Sequence, residues 1–318
     1  MSGFRLADGG LVERDKPLAF SFNGRRLKGF EGDTLASALI ANGIRVVGRS
    51  FKYHRPRGIF AAGVEEPNAL VQLEQGARTL PNQQATRVNL YDGLSADSIN
   101  CWPGPDFDAM SIMGLFHRLI PAGFYYKTFM WPAPAWHLYE HFIRKAAGLG
   151  HAPTAPDPDH YDRMNAHADV LVVGAGPAGL AAALAATRAG ARVILADDQD
   201  RPGGWLLNER REIAGKPAVD WAASALAELA SAPDCRVLMK TTAFGYYDHN
   251  FVGMLQHLGP TQADGGGGAR QRIWRIRAKQ VVLATGAIER PLIFADNDRP
   301  GVMLAGAVRA YANRYGVA

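Results

Sequence analysis

The residues of this sequence best suited to chemistry form a glycine pattern directly after a short apolar run. Residues 169–173 read DVLVV and lead into G-x-G-x-x-G at Gly174, Gly176 and Gly179. The first glycine allows a tight turn, the second lets phosphates approach the backbone, and the third lets a helix pack against a strand. The first amides of such a helix have no partners within it and lie at its positive dipole end. This segment is therefore predicted to bind the pyrophosphate of a dinucleotide.

Acidic and glycine residues further along extend this predicted site. A second apolar run at 192–196 ends in Asp197 and Asp198, at the distance where an acid binds the adenosine ribose 2′-hydroxyl. An acid there repels a 2′-phosphate, so the predicted ligand is NAD or FAD, which share the fingerprint. The backbone of Gly203 and Gly204 is expected near the same cofactor. The alternative is an ordinary βαβ unit whose glycines serve packing alone.

The elements that position these residues follow from hydrophobic patterns and turn residues. A four-glycine run at 265–268 predicts a hairpin tip between two antiparallel strands. The predicted elements are helices at 180–186 and 221–229, parallel strands at 169–173, 192–196, 236–240 and 281–287, and antiparallel strands at 246–258 and 271–277.

The strand at 281–287 ends in Ala-Thr-Gly, which resembles the second fingerprint of the two-dinucleotide-binding-domain family of flavoproteins. In that family the strand returns beside the first and its small residues lie near the cofactor. An α/β, Rossmann-like FAD/NAD-binding domain is therefore predicted. No nucleophile–base pair stands out, so no catalytic residue is predicted. The predicted cofactor-binding residues are Gly174, Ala175, Gly176, Pro177, Ala178, Gly179, Asp197, Asp198, Gly203, Gly204, Trp205, Ala243, Thr285 and Gly286.

A small α+β domain is predicted before this fingerprint. Alternating Phe20 and Phe22 lead to an Asn-Gly turn and a return strand at 26–30, which indicates a hairpin. A helix at 35–43 follows, with an Asp or Thr cap and a glycine stop. Further strands are predicted at 70–73 and 86–90.

This order of elements and the phrase RGIF at 57–60 resemble the plant-type [2Fe–2S] ferredoxin family, with its β-grasp fold. In that family three cluster cysteines follow with C-x₄-C-x₂-C spacing. At that spacing this chain has Ala61, Glu66 and Ala69. The domain is therefore predicted to lack a [2Fe–2S] cluster. An unrelated α+β domain is the alternative.

Three domains are predicted in all: residues 1–100 as the ferredoxin-like domain, 101–166 as an aromatic helical connector and linker, and 167–318 as a dinucleotide-binding domain that is incomplete at its C-terminus. The connector is rich in aromatic residues and is expected to pack between domains or to contact a partner. His137 and His141 lie one helical turn apart, but no third ligand is evident, so no metal site is predicted.

The composition excludes several other classes of protein. The 318 residues carry a net charge of +5, and the basic stretch at 45–57 has no nucleic-acid-binding motif, so no nucleic acid partner is predicted. Two cysteines in no motif favour a reducing cytoplasm. The sequence shows no secretory signal and no apolar run of membrane-spanning length, so no membrane contact is predicted.

Together these features resemble the alpha-subunit family of heterotetrameric sarcosine oxidases over essentially the whole chain. The segments AIERP at 287–291 and DRPGV at 298–302 add to the likeness. The resemblance implies an oxidoreductase complex that demethylates sarcosine to glycine, with formaldehyde or 5,10-methylenetetrahydrofolate and hydrogen peroxide as the other products. It implies NAD in the alpha subunit, FAD and the amine-oxidation site in the beta subunit, and a covalent FMN between the two.

The implied partners are the beta, gamma and delta subunits of that complex, together with the small-molecule dinucleotide. The family continues into the rest of its nucleotide-binding region and then into a folate-binding aminomethyltransferase-like domain. This chain is therefore expected to be an N-terminal part, or a split or truncated subunit, that binds a dinucleotide without completing the reaction alone. Two alternatives remain: an FAD-binding reductase or subunit of a related amino-acid or opine oxidase or dehydrogenase, and a non-catalytic dinucleotide-binding module.

Overall fold

A computed structural model describes residues 3–119, 123, 131–146, 148–259 and 268–318. The chain forms two compact units, of which the first contains Met1–Asp157 and Glu289–Ala318 and the second contains Pro158–Ile288. Part of the predicted aromatic connector and most of the glycine run at 265–268 lie outside the described residues. None of the helices among the described residues is long and apolar enough to cross a bilayer.

The first unit is built on a five-stranded sheet. Its strands lie in the order β2 (Arg25–Glu31), β1 (Glu13–Phe22), β7 (Leu94–Ser98), β5 (Leu70–Leu73) and β6 (Leu80–Gln84), and β1 and β7 are parallel. Leu35 and Leu39 of the first helix are fully buried in one core with Phe20 and Phe22 of the first strand. This is the predicted ferredoxin-like arrangement. Its elements are β1 Glu13–Phe22, β2 Arg25–Glu31, α1 Leu35–Ala41, β3 Gly48–Arg49, β4 Pro56–Arg57, β5 Leu70–Leu73, β6 Leu80–Gln84, β7 Leu94–Ser98 and α2 Trp136–Ala146, with 3₁₀ helices at Gly76–Arg78, Ala109–Leu119 and Ala133–Ala135.

The predicted hairpin and helix are confirmed, and their turn residues explain them. Asn23 and Gly24 have φ values of 50° and 73°, the left-handed conformation that a two-residue hairpin between β1 and β2 requires. Thr34, one of the two residues predicted as the cap, accepts from the Ser37 nitrogen, and the Ser37 hydroxyl accepts from the Thr34 nitrogen. This capping box satisfies two amides at the start of α1.

The strand predicted at 86–90 is wrong. The described strands nearby are β6 and β7, and the segment between them passes the start of α1. There Val88 accepts from the Leu35 nitrogen at 2.8 Å, and the Leu90 nitrogen donates to the Asp33 carbonyl at 2.9 Å. The alternating pattern of this segment therefore reflects apolar contacts beside a helix rather than pairing in a sheet.

The second unit contains a six-stranded sheet. Its strands lie in the order β12 (Cys235–Leu238), β9 (Val193–Ala196), β8 (His160–Val173), β15 (Ala269–Leu283), β14 (Phe251–His257) and β13 (Thr241–Tyr247). The first four strands of that order are mutually parallel, whereas β13 and β14 are antiparallel to their neighbours. The elements are β8 His160–Val173, α3 Pro177–Arg188, β9 Val193–Ala196, β10 Glu212–Ile213, β11 Lys216–Pro217, α4 Ala218–Ser231, β12 Cys235–Leu238, β13 Thr241–Tyr247, β14 Phe251–His257 and β15 Ala269–Leu283, with 3₁₀ helices at Gly204–Asn208 and Asp248–Asn250.

Burial on both faces of this sheet explains its continuous apolar strands. Val172 of β8 packs in one core with α3 and α4, whereas Leu171 and Val173 face a second core that contains Met254 and Ile276. The predicted parallel strands and both predicted helices are confirmed. The single strand predicted at 246–258 is instead two strands, β13 and β14, because Asp248–Asn250 form a turn between them.

The strands predicted at 271–277 and 281–287 form one continuous strand, β15, which pairs in parallel with β8 along nearly its whole length. This long pairing also moves the predicted start of the second unit from residue 167 to Pro158. The Arg272 guanidinium of β15 lies 2.9 Å from the Asp162 carboxylate of β8. Asp162 belongs to the segment that was predicted to be linker, so this ion pair joins that segment to the sheet.

The predicted domain assignment of the C-terminal segment is wrong. This segment holds the helix α5 Ala305–Asn313, and the prediction placed it in the dinucleotide-binding domain. The structure places Glu289–Ala318 in the first unit instead. Tyr311 and Tyr315 are 3% and 2% exposed and share the core of the ferredoxin-like sheet, and this burial determines where the helix packs. The Glu289 carboxylate caps the start of α5 by accepting from the nitrogens of Ala305 and Gly306 at 3.2 and 2.7 Å.

Candidate dinucleotide-binding site

The turn between β8 and α3 requires glycine at its first position. Gly174 has a φ of +109°, and its nitrogen donates to the Ala196 carbonyl of β9 at 2.7 Å. A Cβ at Gly174 would lie 2.3 Å from the Ala284 carbonyl oxygen, which follows β15. No larger residue fits, because the three neighbouring strands converge on this one position.

The other two glycines of the fingerprint differ from each other in a way that indicates a ligand. A Cβ at Gly179 would lie 1.8 Å from the Gly174 carbonyl oxygen, so packing of α3 on the strand requires glycine there. Gly176 has an ordinary φ of −69°, and a Cβ on it would meet nothing within 4 Å. The fold therefore explains Gly174 and Gly179 but leaves open space beside Gly176, where pyrophosphate is expected.

The N-terminus of α3 is available to an anion. Gly176 is its N-cap and makes no side-chain capping bond, and Pro177 occupies the first position, where no amide is needed. Pro177 and Ala178 are both exposed. The positive end of the helix dipole thus lies beside exposed residues and the open space at Gly176, an arrangement suited to phosphate groups.

Asp197 and Asp198 follow β9, and the structure gives them different positions. Asp197 Oδ2 accepts from the Ala175 nitrogen at 2.5 Å, and its Oδ1 accepts from the Gln199 nitrogen at 2.8 Å. Asp198 Oδ1 accepts from the Gln199 side-chain amide at 3.1 Å. Asp197 is therefore fixed against the fingerprint turn. The contact of Gln199 was missed by sequence reasoning, although an aspartate that binds the amide two residues on is a common turn signal.

The second glycine pair joins the same turn. The Gly203 nitrogen donates to the Ala175 carbonyl at 2.8 Å, so Ala175 binds Asp197 through its amide and Gly203 through its carbonyl. A Cβ at Gly204 would lie 3.2 Å from the Cα of Gly176. Trp205 follows with 41% of its surface exposed. The structure therefore brings the two glycine motifs together.

The remaining predicted residues lie at different distances from this turn. The Ala284 nitrogen donates to the Val173 carbonyl, which holds Thr285 and the exposed Gly286 beside the end of β8. Ala243 lies in β13, two residues beyond Thr241, whose nitrogen donates to the Asp197 carbonyl at 2.7 Å. Ala243 packs partly buried against the second core.

The arrangement is suited to binding rather than to bond breaking. In the second unit the thiol of Cys235 is half-buried, and burial raises its pKa, with a weaker opposing effect from the nearby Thr187 side chain. Such a thiol is a poor nucleophile at neutral pH. What the described residues do supply is a positive helix end, open backbone at Gly176 and a carboxylate at the end of the second strand.

Two domain families match the chain, one in each unit. Residues 15–100 match the 2Fe-2S iron-sulfur cluster binding domain family, and residues 172–241 match the NAD(P)-binding Rossmann-like domain family. The solved structure of L-proline dehydrogenase from P. horikoshii is similar to this chain, with a TM-score of 0.62 and 22% sequence identity. The similarity covers 100% of this chain and 50% of that protein. Fold and fingerprint thus define a protein that combines a ferredoxin-like domain with a Rossmann-like dinucleotide-binding domain.

Full-length relatives give a more specific result. The chain is 57% identical to sarcosine oxidase subunit alpha of Rhizobium meliloti (strain 1021) over 320 residues, which cover 100% of this chain and 32% of that protein. It is 42% identical to sarcosine oxidase subunit alpha of Corynebacterium sp. (strain U-96), over 97% of this chain and 28% of that protein. The predicted resemblance to the sarcosine oxidase alpha subunits is therefore confirmed along the entire chain. The chain spans about a third of the length of these relatives.

Proposed function

We propose that this chain is the dinucleotide-binding part of a sarcosine oxidase alpha subunit. The observation that carries the proposal is the combination of 57% identity along the whole chain with a fingerprint whose middle glycine faces open space. The activity would belong to a complex that oxidatively demethylates sarcosine to glycine, releasing formaldehyde or 5,10-methylenetetrahydrofolate and hydrogen peroxide. Within that complex this chain would bind and orient the nucleotide.

The proposed ligand is NAD, held by the residues predicted from the fingerprint. The amides at the start of α3 and the backbone of Gly176 and Gly204 would contact the pyrophosphate. Asp197 would accept from the adenosine ribose, and its contact with the Ala175 nitrogen supports it over Asp198 for this role. A carboxylate there disfavours the 2′-phosphate of NADP. NAD, when bound, supplies nicotinamide redox chemistry; the described residues of this chain supply the binding surface.

The choice between NAD and FAD is tested by calorimetric titration of the purified full chain with NAD⁺, NADP⁺ and FAD. We expect NAD⁺ to bind about tenfold or more tightly than NADP⁺, since the carboxylate repels the additional phosphate. Preferential binding of FAD would support an FAD-binding subunit of a related oxidase or dehydrogenase. Absence of binding by all three would contradict a dinucleotide site in this chain.

The proposed partners are the beta, gamma and delta subunits, with FAD and FMN held outside this chain. The relatives are themselves named as subunits, which supports assembly into a complex. Purification from the native host under mild conditions, followed by mass spectrometry of associated chains and released nucleotides, tests this proposal. A flavin-bearing partner is expected. A chain that purifies alone and without flavin would contradict it.

A further inference from the structure

The first unit contains a buried carboxylate that accepts four backbone hydrogen bonds. Glu66 is 2% exposed, and one of its oxygens, Oε2, accepts from the nitrogens of Phe60 and Ala61 at 2.8 and 2.6 Å. The other oxygen, Oε1, accepts from the nitrogens of Asn68 and Ala69 at 2.7 and 2.9 Å. Both oxygens are therefore saturated by amides of the loop that surrounds them.

This loop is the one where the matched domain family holds its cluster. Glu66 stands at the middle position of the C-x₄-C-x₂-C spacing, with Ala61 and Ala69 at the outer two positions. The two alanines provide amides to Glu66 in place of thiolates to iron. Loops of converging amides are typical anion sites, and they surround iron–sulfur clusters as well as phosphates. Here the anion is part of the chain itself.

Contacts from two other segments fasten the loop around this carboxylate. The Gln84 side-chain amide donates to the carbonyls of Val64 and Glu66 at 3.0 and 2.9 Å. The Thr86 hydroxyl donates to the Gly63 carbonyl, and the fully buried Tyr311 hydroxyl donates to the Ala61 carbonyl, both at 2.8 Å. These hydrogen bonds from within the chain thus close the loop around the carboxylate.

A [2Fe–2S] cluster does not fit this donor set. Plant-type clusters need four cysteine thiolates, whereas the whole chain has two cysteines and none at these positions. The side chains present are two methyl groups and a carboxylate whose oxygens are already used. We propose that the Glu66 carboxylate takes the place of the cluster, as an internal anion that organises the loop from Phe60 to Ala69. This unit then acts as a scaffold and not as a one-electron carrier.

The iron content of the purified full chain gives the first test. The chain is incubated anaerobically with ferrous iron and sulfide, desalted, and assayed for iron, acid-labile sulfide and visible absorption. We expect neither stoichiometric iron nor sulfide-to-iron charge-transfer bands. A cluster that survives desalting at one per chain would overturn the proposal. Nucleotide binding plays no part in this readout, so its outcome is independent of the proposed function.

The second test asks whether the carboxylate organises the loop. Glu66→Gln keeps the shape of the side chain but turns one acceptor into a donor that faces two amides. We expect its Tm to fall by roughly 5–10 °C. Glu65→Gln, at the adjacent half-buried position, is the matched control and should shift the Tm by about 1 °C or less.

Amide hydrogen exchange makes the second test local. In Glu66→Gln the amides of Phe60, Ala61, Asn68 and Ala69 should lose protection, while the amides of the β1–β2 hairpin keep theirs. If the variant is too unstable to purify, Glu66→Asp, which retains the charge but shortens the reach, provides the same readout. Unchanged protection of these four amides, together with an unchanged Tm, would show that the carboxylate does not hold the loop.

Discussion

The carboxylate of Asp197 lies 2.5 Å from the backbone nitrogen of Ala175, so the acid that ends the second strand binds the turn that follows the first. This contact is made entirely within the chain. It uses one amide of the fingerprint turn and leaves the first turn of α3 without a side-chain cap. Asp197 therefore ties the end of β9 to the turn beside which the cofactor is proposed to bind.

Gly176→Val should separate ligand binding from folding. The backbone of residue 176 has an ordinary φ, and the added Cβ would lie in open space. The Tm should therefore change by about 2 °C or less. The same side chain would occupy the expected position of the pyrophosphate, and the dissociation constant for NAD⁺ should rise about tenfold or more. Calorimetry and thermal unfolding measure both effects.

Gly179→Ala is the contrasting variant. Its Cβ would lie 1.8 Å from the Gly174 carbonyl, so α3 must move away from β8. We expect a loss of about 3 kcal/mol or more in the free energy of unfolding, measured with urea. If Gly179→Ala is as stable as the parent, the turn geometry described here is wrong.

Asp197→Asn should weaken both the turn and the ribose contact. The asparagine NH₂ group would face the Ala175 nitrogen, which leaves two donors opposed, and the free energy of unfolding should fall by about 1–3 kcal/mol. NAD⁺ affinity should fall with it. Asp198→Asn is the matched control, because its described contact is with the Gln199 side chain. Equal losses of affinity in the two variants would argue against Asp197 as the ribose ligand.

Tyr311 should make the stability of the first unit sensitive to alkaline pH. Burial raises the pKa of Tyr311 well above its ordinary value of 10, with smaller contributions from Tyr315, Glu66 and Glu65. Because the folded-state pKa is raised, the stabilising contribution is fully present below pH 10 and is lost as the pH rises beyond it. Urea unfolding from about pH 8 to about pH 11 measures this loss.

Tyr311→Phe is the control for that titration. It should cost about 1 kcal/mol near neutral pH, since the Ala61 carbonyl loses its donor. Above pH 10 its stability should decline less steeply than that of the parent chain. Parallel alkaline declines in the two chains would assign the effect to other groups.

Glu289→Ala should destabilise the C-terminal helix. The Glu289 carboxylate accepts from two amides at the start of α5, and losing that cap should cost about 1 kcal/mol in the free energy of unfolding. Arg290→Ala, at the adjacent exposed position, should cost about 0.5 kcal/mol or less. Similar effects of the two changes would show that the cap contributes little.

Local signals in the sequence were sufficient to predict much of the fold, including the turn at which the site is proposed. The Asn-Gly turn, the cap at Thr34 and the glycine fingerprint each specify backbone conformation through neighbouring residues. Gly203 and Gly204 were predicted near the cofactor, and in the structure they lie against Ala175 and Gly176 of the fingerprint turn. These features were predictable because their physical causes lie within a few residues.

The errors arose where distant segments determine structure. The pattern at 86–90 resembles a strand, but its backbone binds the start of α1. The apolar face of α5 does not reveal whether the helix packs in the core of the first unit or in a core of the second unit. Nor could the sequence show that Glu66 accepts four amides, since two of its donors precede it and two follow it in a loop without regular structure.

The central claim is that a dinucleotide binds with its pyrophosphate at the start of α3. Backbone amide NMR of the full chain during titration with NAD⁺ tests it most directly. We expect saturable shifts of the Gly176, Ala178 and Gly179 amides, accompanied by shifts of the Gly203 and Gly204 amides. If NAD⁺ leaves these amides unmoved, or shifts only residues elsewhere in the chain, the proposed site is contradicted.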